Sequence, residues 1–209
     1  MLGCRAVAGK RVRRSPEAAR AEILEAAEAL LRDEDWAHVS VDKLMERTGM
    51  TRSSFYHYFK SVDEVAVALF ARVEGEIRSA VDDWLESESS EGEPEPVAVA
   101  ALTRMFEVWE QHLSLMRAME HASGRSGAAY AQWRERVVDD YVERTTSFIE
   151  RLVSAGSSDV PDPPALARAL ILMNVSTATD EARRAERFSA ERLGRSIGRV
   201  WAKSIYRNH

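Results

Sequence analysis

Ser40-Val-Asp-Lys-Leu-Met-Glu-Arg-Thr-Gly-Met-Thr-Arg-Ser-Ser-Phe-Tyr-His-Tyr-Phe-Lys60 decides how the chain is read. A serine hydroxyl accepts the free N–H groups of a first helical turn, so Ser40 caps a helix predicted over Val41 to Thr48. Leu44 and Met45 give that helix a core side. Gly49 then tolerates the positive φ that a tight exit requires. Thr51 caps a second helix, predicted over Arg52 to Phe59. Two short helices around a glycine turn form a helix-turn-helix. In that motif the first helix crosses the duplex backbone, and the second places its N-terminal side chains in a major groove about 12 Å wide.

The second helix divides into two faces. Phe55 and Phe59 are four apart and should pack inward, against Leu44 and the helix that opens the chain near Ser15. Arg52, Ser53, Tyr56 and His57 are left outside. Ser53 and Ser54 are small enough for close approach to base edges, and Arg52 can reach a guanine or a phosphate. Tyr56, Tyr58 and Lys60 can donate to phosphates, contacts that position a protein without reading sequence. Ser40, Lys43 and Thr51 complete the candidate DNA-binding set. The bland alternative is a small helical hairpin whose aromatics are only core. An aromatic run exposed on two sides of one short helix favours the DNA reading.

Outward from this segment, Pro16 opens a first helix just after Ser15, where its missing N–H costs little. Ile23, Ala27, Leu30 and Leu31 form one apolar face of that helix. Ser61 and Glu64 form a capping box at the head of a fourth helix, which runs to about Leu85 with Val65, Leu69, Val73 and Ile77 in one stripe. Residues 82–95 hold seven acids and no base and read as a solvated linker. Four further helices follow, near 97–124, 128–155, 165–184 and 189–207. Strand-like alternation is absent, so the fold is expected to be all-α. Residues 1–14 carry Arg5, Lys10, Arg11, Arg13 and Arg14 without an acid and read as a flexible basic arm.

Composition bounds the function. In 209 residues, 45% are apolar, enough for a sizeable core. The single cysteine, Cys4, excludes an internal disulfide or zinc cluster and suits a cytoplasmic location. No apolar run approaches the roughly 18 residues of a membrane span. The formal net charge is −5, but residues 1–60 hold 11 Lys/Arg against 9 Asp/Glu, and the remainder 18 against 25. A mildly basic head on an acidic body fits DNA contact at one end.

The string from Val39 to Leu44, Gly49, the run Phe55 to Phe59 and Ser61 resemble the TetR family of one-component repressors over residues 20–70. The strings Leu172 to Thr177 and Val200 to Tyr206 resemble a mycobacterial branch of that family. The resemblance implies about nine helices. It implies a helix-turn-helix head at 15–60 and a ligand-binding and dimerisation domain at 61–209. It also implies a homodimer facing a pseudo-palindromic operator, and release from DNA by a small hydrophobic ligand. One position departs from it: Val62 stands where the family often has lysine, leaving Lys60 as the nearest cation.

The body shows no catalytic constellation, so no enzymatic activity and no cofactor are expected. His112 and His121 lack a third ligand at metal spacing. Phe106, Trp109, Met173, Asn174, Thr177 and Trp201 are the candidate ligand-binding residues. An amide at Asn174, following the apolar run Ala169 to Met173, needs a partner. The resemblance implies that this asparagine faces the ligand. Plain core is the alternative for the aromatic and methionine residues.

The last two helices are apolar on more than one side and are expected to pair with their symmetry mates. Gly194 and Gly198 either allow close helix approach or are merely small surface residues. Rival readings of the whole chain are a helical lipid or small-molecule carrier, or an enzyme, without a DNA role, and a DNA-binding activator or nucleoid-type protein without an inducer.

Overall fold

The computed structural model describes residues 15–86, 93–124 and 128–207, apart from the side chains at 120–124, 128–130 and 133. The expected basic arm lies outside these residues. Among the described residues there are nine α-helices, one 3-10 turn and no strand. The order is α1 (Pro16–Asp33), the 3-10 turn (Trp36–His38), α2 (Val41–Thr48), α3 (Arg52–Tyr58) and α4 (Val62–Leu85). It continues with α5 (Pro94–Gln111), α6 (Leu113–Gly124), α7 (Ala128–Ser154), α8 (Pro163–Arg183) and α9 (Ala190–Ile205).

Local chemistry sets the ends of the first four helices. Ser15, Ser40, Thr51 and Ser61 each accept the backbone N–H three residues on. Gly49 ends α2 in the left-handed region at φ 64°. Glu64 completes the α4 cap by accepting the Lys60 N–H at 2.7 Å, one residue upstream of the expected partner. α3 ends at Tyr58, with Phe59 as its extended C-cap.

Two expectations change. The acid-rich stretch 82–95 is not all linker: Asp82 to Leu85 belong to α4, and Trp84 and Leu85 are buried. Arg144 of α7 pairs with Asp82 and, at 3.6 Å, with Glu86, so the acids there meet a cation rather than water alone. α5 then begins at Pro94. The helix expected over 97–124 divides at His112, whose backbone leaves helical geometry at φ −106°, ψ 27°. No glycine or proline marks that break. The His112 imidazole instead meets Glu76 of α4 at 3.2 Å, a contact outside the reach of local pattern.

α9 lies directly on α5. A Cβ built on Gly194 would sit 2.5 Å from Thr103 Cα, and one on Gly198 would sit 2.6 Å from Val99 Cα. Both glycines are therefore contact positions, and their partner is a helix of the same chain. The second apolar side of α9 is thus covered internally. Beside exposed charged residues such as Arg168, Arg195 and Arg199, the small and apolar side chains left outside include Ser196 and Val200 on α9, with Val200 45% exposed, and Ala165, Ala169 and Ser176 on α8.

The obstacle at the two glycines is backbone, which cannot swing aside. Gly198→Ala and Gly194→Ala are each expected to destabilise the fold by about 1–3 kcal/mol through overpacking. A thermal melt should fall by roughly 2–4 °C for each kcal/mol; a melt within 1 °C of the parent would contradict the close seat.

Candidate nucleic-acid interface and ligand cavity

Phe55 and Phe59 sit at 0% and 3% exposure, packed into the core that also holds Ile23, Leu44 and Trp36. Their rings lie 5.9 Å apart, and the Arg20 guanidinium caps Phe59 at 4.9 Å. Anchoring one side of α3 in this way leaves Arg52, Ser53, Tyr56 and His57 exposed on the other, with Tyr56 at 52%. Thr51, Ser53 and Ser54 gather their hydroxyls at the start of α3, at 2.9 and 2.8 Å from Thr51 Oγ1. Arg52 pairs with Asp42 at 2.7 Å; that carboxylate first, and the Tyr56 hydroxyl second, hold its pKa above the ordinary arginine value. Lys43 pairs with Glu34 at 2.5 Å, and Lys60 is exposed. Ser40 is occupied as a cap, and Tyr58 is half-buried against the core. Val62 also packs on that core.

Among the described residues of the body, three cavities stand out. The first encloses about 530 Å³ including its mouth, lined by Ile77, Val81, Trp84 and Leu85 of α4, Leu102, Met105 and Trp109 of α5, Tyr141 and Thr145 of α7, Ile171, Asn174 and Val175 of α8, and Trp201 of α9. The second, of about 570 Å³, shares Ile77, Trp109, Tyr141 and Val175 with it and extends to Met116 and Met119 of α6. A third, of about 380 Å³, is lined by Phe106 and Trp109 and opens beside Arg187 and Phe188. Mostly apolar walls interrupted by a few polar groups are the kind of lining that small-molecule sites have.

Of the six candidate ligand-binding residues, the first cavity gathers Trp109, Asn174 and Trp201. Phe106 faces the third, while Met173 and Thr177 line none of these three. Asn174 has its partner: the Trp201 indole N–H donates to Asn174 Oδ1 at 3.0 Å. Met105 Sδ lies 3.9 Å from the Asn174 amide nitrogen. Trp201 in turn meets Trp84 at a tilt, ring centroids 5.4 Å apart, and the Trp84 indole donates to Tyr206 Oη at 3.2 Å. Burial pushes the Tyr206 hydroxyl pKa upward, and the Trp84 bond opposes that shift.

Of the cavity-wall hydroxyls, sequence reasoning missed Thr145 and did not carry Tyr141 into the candidate set. The available signal was a hydroxyl on an apolar stripe: Val138, Tyr141, Thr145, Phe148 and Leu152 recur at helical spacing. Of the two histidines, His112 is a surface partner of Glu76, and the side chain of His121 lies outside the described residues.

Asn174→Ala would leave the Trp201 N–H buried without its acceptor, a loss of about 1–3 kcal/mol. Thermal unfolding should move down by several degrees, and adding Trp201→Phe, which removes the orphaned donor, should recover part of it. Equal melts for the alanine variant and the parent would remove the α8–α9 bond as a stabilising contact.

Comparisons with known proteins agree with this arrangement. Residues 23–69 match the family described as bacterial regulatory proteins, tetR family, and residues 98–207 match transcriptional regulator EthR, C-terminal domain. The HTH-type transcriptional regulator EthR of Mycobacterium tuberculosis (strain ATCC 25618 / H37Rv) is 28% identical over 186 residues, 88% of this chain and 85% of that one. EthR of Mycolicibacterium smegmatis is 27% identical over 189 residues, 89% and 85% of the two chains. Among solved structures, SmeT, the repressor of the Stenotrophomonas maltophilia multidrug efflux pump SmeDEF, superposes with a TM-score of 0.66 at 20% identity, over 90% of this chain and 91% of its own. FadR of Bacillus subtilis in complex with stearoyl-CoA superposes with a TM-score of 0.67 at 15% identity, over 89% and 99%. With an anchored recognition helix at one end and an EthR-type helical body at the other, the chain belongs to the TetR family of bacterial transcriptional regulators.

Proposed function

We propose that the chain is a homodimeric transcriptional repressor, residues 15–60 holding a pseudo-palindromic operator and residues 61–209 binding the small molecule that releases it. The observation that carries this reading is the two-faced α3, with Phe55 and Phe59 fully anchored and Arg52, Ser53, Tyr56 and His57 presented outward. The Thr51, Ser53 and Ser54 hydroxyls stand where backbone phosphates or base edges would approach the start of the helix. Arg52 and Lys43 are held by acids and would exchange them for phosphate or guanine. Lys60, beside half-buried Val62, supplies the cation at the head of α4.

Two TetR-fold structures support a ligand role for the body: SmeT has been solved with triclosan and FadR with stearoyl-CoA. In this chain α4 connects the two ends. It leaves the recognition helix at Ser61 and contributes Ile77, Val81, Trp84 and Leu85 to the cavity wall. α6 gives a second route, since it packs against the 3-10 turn and α1 while Met116 and Met119 face the cavity. A ligand that prefers cavity walls set differently by α4 and α6 would shift the spacing of the two recognition helices. Couplings of this kind are typically 1–3 kcal/mol, about 5–150-fold in DNA affinity.

The exposed small and apolar side chains of α8 and α9 support pairing of these helices with their mates in a four-helix bundle. Among the described residues no helix is long and apolar enough to cross a membrane, and the proposed site of action is the cytoplasm.

Binding of the purified protein to fragments of its own upstream region, read by fluorescence anisotropy, tests the DNA role. Affinity should fall as salt rises. Tyr56→Ala should weaken all sequences about equally, whereas Arg52→Ala should change the preference among them. Binding that neither salt nor Tyr56→Ala alters would refute the assignment of α3.

Val200→Asp tests the dimer. Sedimentation should register a monomer at micromolar concentration with the helical circular dichroism intact, and operator affinity should drop at least tenfold. A persisting dimer would place the interface elsewhere.

A further inference from the structure

The most informative unexplained groups in the body are two hydroxyls four residues apart on α7. Thr145 is 0% exposed, and its Oγ1 has no hydrogen-bond partner among the described residues. A mid-helix threonine usually satisfies itself by donating to the carbonyl four residues back. Thr179 does so, donating to Val175 O at 2.9 Å. Thr145 does not, although a buried unsatisfied polar group carries a free-energy cost. The Tyr141 hydroxyl is likewise buried and unpartnered, and Tyr141 and Thr145 both line the first cavity. Residues four apart share one helix face. Burial, with Glu74 adding and Arg78 opposing, pushes the Tyr141 pKa well above the ordinary tyrosine range, so it stands as a neutral O–H. The Trp109 indole N–H, across the cavity on α5, is a third buried donor without a partner among the described residues.

Asn174 is differently placed, because its carbonyl oxygen is already used by Trp201. Among the described residues no lysine, arginine, histidine, aspartate or glutamate lines this first cavity; Arg134 lines only the second, and Arg78 and Arg144, which act on the Tyr141 hydroxyl from outside the lining, are already paired with carboxylates. A carboxylate or phosphate placed in the first cavity would lose its hydration without an unpaired cation in that lining.

We propose that Tyr141 and Thr145 are the polar anchor of the effector site, holding an uncharged hydrogen-bonding group, such as an amide or ketone carbonyl, on an otherwise apolar molecule. This rests on the reading of the body as a ligand-binding domain. The hydroxyl pair would donate to the carbonyl oxygen, with Trp109 as a further donor from the opposite wall. The apolar remainder would lie against Ile77, Leu102, Met105 and Ile171.

Isothermal titration of the full-length protein without DNA, at pH 7.5, tests this with three probes: decanamide, decanoate, and naphthalene, which has no hydrogen-bonding atom. Decanamide should bind at least tenfold more tightly than decanoate. Tyr141→Phe and Thr145→Val should each weaken decanamide about 3- to 10-fold, the loss expected of one net hydrogen bond. Naphthalene affinity should stay within twofold in both variants, which a collapsed cavity would not permit.

Decanamide affinity unchanged in both variants, or decanoate binding as tightly as decanamide, would overturn the anchor. Naphthalene binding without decanamide binding would also overturn it while leaving the body a ligand-binding domain. Failure of all three probes would take that wider reading down with it. Operator binding is measured separately and is untouched by any of these results.

Discussion

α4 has to bury one apolar stripe along its whole length, and it does so against two different sets of partners. Twenty-four residues at 1.5 Å each make a rod of about 36 Å. Near its start, Val65, Leu69 and Phe70 join the core that holds Phe55, Phe59 and Trp36. Toward its end, Ile77, Val81, Trp84 and Leu85 become cavity wall. Because interiors pack at crystal-like density, neither end can be re-seated without disturbing the stripe between. In the proposed function, communication between the DNA-facing surface and the ligand site would need no special wiring. One continuous hydrophobic contact serves both ends.

The cavities themselves are a by-product of how the body closes. α9 descends onto α5 with only two glycines between the backbones. That near approach holds Trp201 against Trp84 and brings its indole to Asn174. The large rings meet edge-on or tilted, leaving space rather than filling it. α7 then completes the wall with Tyr141 and Thr145. The same helices that give the body its stability thus give it room.

Much of the head was legible because its signals are local. Ser40, Gly49, Thr51 and Ser61 each act within a few residues of their own position, and α2 falls between Ser40 and Gly49 as read from the sequence. The division of α3 into anchored phenylalanines and outward polar residues was equally visible from spacing. The body was less legible because its determinants are distant in sequence. The break at His112 coincides with a contact to distant Glu76, and the role of Gly198 depends on Val99. Asn174 could be flagged as needing a partner, but nothing nearby named Trp201. Trp84 was hidden among acids whose charge is met by Arg144 of α7. Thr145 lay in plain sight on an apolar stripe, where a single hydroxyl looks like a tolerated exception until its surroundings are known.

The ion pairs of the head have a kinetic consequence. Arg52 and Lys43 each carry their own counter-charge, in Asp42 and Glu34. Seen from a distance, that surface offers little net attraction to a polyanion. Long-range steering, which speeds encounter by focusing opposite charge, is correspondingly muted. Both pairs are at least partly exposed, so each is weak and can be exchanged for a phosphate or base at little cost. In the proposed role such a head would trade some speed of capture for discrimination at close range.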